Sequence, residues 1–137
     1  NLQIIPGPSH EDLPSYLKDA DILFLPETFD PLKVREIKLS ISTKAHFYMM
    51  SKKPILVYAH PEAGVAHYAN EEKWAYVVME QDLDKLAQAL LELITDVEYA
   101  KRLVNTGIEV VLKNNSESEI RARFLSRLIE INPEKGF

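Results

Sequence analysis

The 137-residue chain contains no cysteine. Disulfides, cysteine-ligated zinc, iron–sulfur clusters and thiol nucleophiles are therefore excluded, and the composition fits a reducing compartment. There is no run of roughly 18 apolar residues, the length that a membrane-crossing helix needs. The start lacks a basic segment followed by an apolar stretch and a small-residue cleavage site, so no secretory signal is read there. Cations are the minority charge, with 16 Lys and Arg against 21 Asp and Glu and a formal net charge of -5. Such a chain gains no long-range attraction to nucleic acid or to an anionic membrane, and neither is a default partner.

What remains is an ordinary soluble composition, 46% hydrophobic and 27% charged. That is enough apolar surface to offset chain entropy, so disorder is not the main state. The length suits one domain and not two. The chain opens on Asn1 and enters an apolar run at Leu2, and it reads as a piece of a longer protein.

Four short apolar segments read as strands: 2–6 (LQIIP), 20–26 (ADILFLP), 54–59 (PILVYA) and 74–79 (WAYVVM). Each has the character of a strand buried on both faces. Helical segments alternate with them, which predicts a parallel α/β sheet with crossover helices. Ser9 stands three residues before Asp12 and opens an amphipathic run over 13–20, with Pro14 in the first turn. Ser42 or Thr43 is placed to cap a helix over 44–52. Asp82 is placed to cap a helix with Leu83, Leu86, Ala87, Leu90 and Ile94 on one face. Thr95 to Glu98 and Ser116 to Glu119 have capping-box spacing, the second ahead of Ile120, Phe124, Leu128 and Ile131. Gly107 is expected to bend the helix that carries it. Residues 27–41 (ETFDPLKVREIKLSI) read as a long irregular connection, which in α/β proteins is usually functional or mobile.

Ligands of open parallel sheets bind beyond the carboxyl ends of the strands. Four segments would meet there: 6–10, 26–44, 60–65 and 80–82. Thr43 and Lys44 open a helix, whose free N–H groups and partial positive charge attract phosphate. The plainer alternative is an N-cap with a solvated lysine. A Walker A loop is excluded, because the preceding glycines are missing. Gly64 would permit close backbone approach and Glu62 would accept sugar hydroxyls; the alternative is an ordinary turn. His10, His46, His60 and His67 lack metal-ligand spacing, and no nucleophile signature is present. Met49 and Tyr48 read as core, and Arg121, Arg123 and Arg127 as the polar face of the last helix. A receiver-type regulatory domain would need an acidic cluster after its first strand and an aspartate ending a central strand, and neither is visible.

The ordered segments SHEDLPSYLKDADILFLPE, STKAHFYMMSKKPILVYA and WAYVVMEQDLDKLAQALLELITDVEYAKRLVNTG resemble the C-terminal half of glycosyltransferase family 4 over about residues 3–130. The family phrase D-x-x-x-L-A-x-A-L-x-x-L-x-x-D corresponds to Asp82 through Asp96. The resemblance implies the GT-B architecture, two Rossmann-like domains facing a cleft, with the C-terminal one binding the nucleotide-sugar donor. Residues 1–137 would then be part of that donor domain, without its first two strands and without the N-terminal acceptor domain.

The function implied is retaining sugar transfer from a nucleotide-sugar to a glycan or lipid-linked acceptor, in polysaccharide, lipopolysaccharide or glycoprotein assembly. No catalytic residue is expected in this chain, no activity of the chain alone, and no tightly bound metal or other cofactor. Donor contacts are assigned to Thr43, Lys44 and Ala45 at the diphosphate, to Glu62 and Gly64 near the phosphate–sugar rim, and to Pro6 and Gly7 beside the base. Thr43, Lys44, Tyr48, Lys53 and Pro54 match the family's donor helix. Phe47 stands where the family has the glutamate that holds the ribose hydroxyls, Ser42 replaces a proline and Lys52 a glycine. Loss of that carboxylate should cost about 1–3 kcal/mol, roughly ten- to a hundred-fold in affinity. The alternative reading is a degenerate, non-catalytic Rossmann-like binding module. The implied location is cytoplasmic, with peripheral attachment to the inner membrane through the absent half. The family sheet order, 3-2-1-4-5-6, would leave the 2–6 strand without neighbours, so a homodimer contact or a rearranged strand is expected at the sheet edge.

Overall fold

A computed structural model describes residues 11–114 together with 4, 7, 9, 121, 122, 124–127 and 130. It is a mixed α/β structure with a three-stranded parallel sheet flanked by helices. The elements run α1 (Leu13–Asp19), β1 (Leu23–Pro26), α2 (Pro31–Ile37), α3 (Thr43–Met50), β2 (Ile55–Tyr58), α4 (Gly64–Glu72), β3 (Tyr76–Val78), α5 (Leu83–Thr95) and α6 (Val97–Asn114). The strand order is β1-β2-β3, with Leu23 opposite Ile55 and Leu56 opposite Tyr76. This is compatible with a fragment of a Rossmann-like sheet. The proposed strand at 2–6 and the Ser116–Glu119 capping box lie outside the described residues.

Alternation along the strands makes two cores. Leu23, Leu25, Ile55 and Val57 face one side, where Leu17, Ala45, Met49, Val65 and Trp74 pack on them. Leu56 and Val78 face the other, under Ala89, Leu93, Ala100 and Leu103. β2 is buried on both faces, as its unbroken apolar run predicts. β1 is not: its residues alternate buried and exposed, and Phe24 is 42% exposed. None of the buried groups in the second core comes from β1. Helix α6 contributes Ala100 and Leu103 to one core and Val110 and Val111 to the other, so it crosses from one side of the sheet to the other.

Local hydrogen bonding explains the element starts. The Ser9 hydroxyl accepts the Asp12 N–H at 3.2 Å and donates to the Asp12 carboxylate at 2.7 Å. Asp82 accepts from the Asp84 and Lys85 amides, as its position implied. The cap ahead of α6 is Asp96, which accepts the Tyr99 N–H at 2.8 Å; Thr95 donates back to the Leu91 carbonyl instead. The 27–41 segment is not irregular throughout. Asp30 accepts the Leu32 N–H and Pro31 occupies the first helical turn, where its missing N–H costs nothing, and this pair starts α2.

Two further expectations are corrected. The covered stripe of α5 is Leu86, Ala89, Leu90 and Leu93, an i, i+3, i+4, i+7 set, while Leu83 and Ile94 point outward. Gly107 does not interrupt α6, which is continuous for 18 residues. It faces Met49 and Trp74 with room for a Cβ at ordinary contact distance. Trp74 is buried beside Tyr68, and its indole N–H meets no acceptor among the described residues. No described helix is long and apolar enough to cross a membrane.

Candidate functional site

A parallel sheet puts all three carboxyl ends on one rim. The connections leaving Pro26, Tyr58 and Val78 therefore start side by side, and Glu27 N–H to Tyr58 C=O (2.9 Å) and Ala59 N–H to Val78 C=O (3.1 Å) extend the ladder there. Helix α3 ends five residues before β2 begins, so its last turn lies at the amino rim and Thr43 at the carboxyl end. Helix α4 follows β2 and starts on that same rim.

The start of α3 is open. Ser42 occupies the N-cap position but makes no side-chain cap, contrary to expectation. Thr43 and Lys44 are exposed, and their amides meet no acceptor among the described residues. An uncapped helix start with a lysine beside it suits an oxyanion. Ala45 does not add to it, because its N–H is bonded to the Ser42 carbonyl at 2.9 Å and its side chain is buried. Phe47 lies one turn further on and is 52% exposed. It lines a cleft of about 280 Å³ between α1 and α3 with Leu13, Leu17 and Met50.

Glu62 and Gly64 come to the same rim, but both are engaged. Glu62 faces Lys38 at 3.4 Å, and its N–H donates to His60 Nδ1 at 3.1 Å. The ion pair is exposed and worth at most about 1 kcal/mol, so it orients Glu62 weakly. A Cβ on Gly64 would lie 2.6 Å from the Ser40 carbonyl oxygen and 2.9 Å from that of Lys38. The backbone that approaches Gly64 is thus the chain's own. Gly7 is exposed, and no described residue lies within 4 Å of where its Cβ would be. Pro6 lies outside the described residues.

Sequence reasoning missed an aromatic group on this rim. The Phe29 ring centroid is 4.8 Å from that of Tyr58 and 6.4 Å from that of His60, and Phe24 also neighbours Tyr58. No local pattern marks these rings, which are brought together only by the β1–β2 register. The chain matches no family model, no curated protein and no solved structure.

Beyond Asp82, the rim holds an exposed pair, Lys85 with Glu80 at 2.8 Å, and that hydrogen bond raises the lysine's pKa. Among the described residues no group of three or more His, Asp or Glu is arranged to hold a metal. A cleft of about 720 Å³ lies at the opposite end of the sheet, lined by Ile22, Pro54, Leu93, Val97 and Lys52 among others. Its walls are mainly aliphatic, with Asp21, Lys52, Lys101 and Asn105 among them.

Proposed function

We propose that the chain is the donor-binding part of a retaining GT-B glycosyltransferase that moves a sugar from a nucleotide-sugar to a glycan or lipid-linked acceptor. The observation that supports it best is the exposed, uncapped start of α3 at the carboxyl rim, with Lys44 beside free amides. In this reading the diphosphate rests on Thr43 and Lys44, and the Phe29–Tyr58 rings offer an apolar surface for the rest of the nucleotide. In the same reading residues 1–137 work in the cytoplasm together with an acceptor domain and transfer no sugar without it. The second edge of β1, unpaired among the described residues, belongs to further strands of the same sheet or to a second copy.

The degenerate, non-catalytic reading also draws on an observation. Gly64 is filled by the Ser40 and Lys38 carbonyls, and Phe47 supplies no carboxylate for ribose.

Calorimetric titration of nucleoside diphosphates separates the two. Donor binding predicts a saturable signal that Lys44→Ala weakens about tenfold, the scale of one charge-assisted bond. Phe47→Glu tightens it by a similar factor. A flat titration for all three proteins supports the degenerate module.

A further inference from the structure

The free edge of β3 lies on the far side of the sheet from β1. Val78 C=O accepts from Ala59 in the connection after β2, so the peptide groups of residue 78 point inward. Successive residues of a strand alternate, and the N–H and C=O of Val77 therefore point outward. No other strand pairs there among the described residues.

A cleft of about 420 Å³ lies along this edge, between the end of α4 and the first half of α6. Ala75, Tyr76 and Val77 line it from the strand, and Lys73, Tyr99 and Arg102 from the helices. Among the described residues no acidic one lines it. Four cations elsewhere are each held by a glutamate, and among the described residues the two that line this cleft are not. Lys38, Lys85, Lys101 and Arg127 each face a glutamate. Lys73 instead donates to the Asn70 side-chain oxygen at 3.3 Å, and Arg102 lies 5.5 Å from the Tyr99 ring centroid. Neither meets a carboxylate among the described residues. The nearby Glu92 is occupied, accepting from Tyr76 at 2.9 Å and from Gln88 at 3.0 Å.

We propose that this edge docks an extended, acidic peptide segment of a partner protein, which adds a strand to β3 and sets a carboxylate between Lys73 and Arg102. The strand edge supplies main-chain pairing, and the flanking cations select the side chain. β3 is only three residues long, so the ladder supplies few bonds and the charge contact decides affinity and specificity. A second copy of this chain is a poorer occupant, because edge-to-edge pairing would bring its own Lys73 and Arg102 to the same place, cation facing cation. This inference is independent of donor binding on the carboxyl rim.

The test uses the full chain and a fluorescent eight-residue peptide of alternating Val and Thr with two glutamates, beside the same peptide with lysines. Saturable binding is expected for the glutamate peptide only, with slower hydrogen exchange at the Val77 amide. Lys73→Glu or Arg102→Glu should weaken it about tenfold or more, and the double reversal should prefer the lysine peptide. Arg102→Gln provides a milder change, and thermal unfolding followed by Trp74 fluorescence confirms that each variant folds. The proposal is overturned by failure of the glutamate peptide to bind, by equal affinity for both peptides, or by indifference to the charge changes. Protection of Val77 that grows with protein concentration in the absence of peptide would assign the edge to a second copy and overturn it too.

Discussion

Gly64 and Ser40 stand so close that a methyl group on Gly64 would lie 2.6 Å from the Ser40 carbonyl oxygen. The contact ties the first turn of α4 to the chain just ahead of α3, and so fixes two helix starts on one rim. The obstacles are backbone carbonyls, including those of Lys38 at 2.9 Å and Ile37 at 3.2 Å, and these cannot swing aside as a side chain can. Gly64→Ala should therefore destabilise the protein by about 1–3 kcal/mol, the usual range for overpacking. Urea unfolding followed by Trp74 fluorescence measures it. A change near zero would mean that the 37–40 segment moves freely, and the carboxyl rim would lose its fixed geometry.

Lys52 has φ of 61°, in the left-handed region that favours glycine. It follows the end of α3, where the Ser51 hydroxyl donates to the Tyr48 carbonyl at 2.6 Å. The backbone here holds a conformation that glycine adopts without strain. Lys52→Gly should stabilise the protein by about 0.5–1 kcal/mol, since it relieves the Cβ clash at that dihedral. A rise in the urea midpoint checks this; a fall would show that the lysine stem packs usefully at the aliphatic cleft it lines.

Gly107 differs from Gly64 although both meet neighbours. The nearest atom to a new Cβ is Met49 Cγ at 3.4 Å, followed by Trp74 Cβ at 3.6 Å, which are ordinary contacts with an adaptable side chain. Alanine gains helix propensity of about 1 kcal/mol over glycine in a helix interior. Gly107→Ala is expected to be neutral to stabilising by up to that amount, whereas Gly107→Leu should destabilise by forcing α3 and α6 apart. Thermal midpoints of the two variants test the contrast.

Much of the local structure was legible because its causes are local. Asp82 reaches amides two and three residues ahead, and a short-range pattern reveals such a cap. The Asp30–Pro31 start of α2 was equally readable, but the length of the 27–41 segment drew attention to its irregularity instead. The misplaced cap at Thr95 shows the limit of the capping box, because Asp96 competes for the same helix start and its carboxylate reaches the Tyr99 amide. What was not legible depends on distant partners. The run ILFLP looks doubly buried, yet Phe24 is exposed, and β1 gives no buried residue to the second core among the described residues. The carbonyls that fill the space at Gly64 come from residues 24–27 positions earlier, which no local spacing announces. At the candidate site, Thr43 and Lys44 lie where the strand–helix order put them. Ala45 lost its amide, and Phe29 and Tyr58 emerged only through strand register.

Tyr76 provides a pH-dependent test of the second core. Its hydroxyl donates to Glu92 at 2.9 Å, and burial first, then that carboxylate, push its pKa up to about 12. An unfolded tyrosine releases its proton near pH 10. Between those values the folded state holds a proton that the unfolded state has lost. The associated stability is therefore fully present below about pH 10 and disappears as the pH climbs toward 12. Tyr76→Phe should cost about 0.5–1.5 kcal/mol at neutral pH through the lost hydrogen bond, and it should flatten the alkaline decline. Tyr99, also raised by burial, keeps part of that decline in both proteins. Urea midpoints of the two proteins, compared from about pH 9 to about pH 11.5, give the result. Parallel declines would show that the Tyr76–Glu92 bond does not hold the phenol proton and that the link between β3 and α5 rests on apolar packing alone.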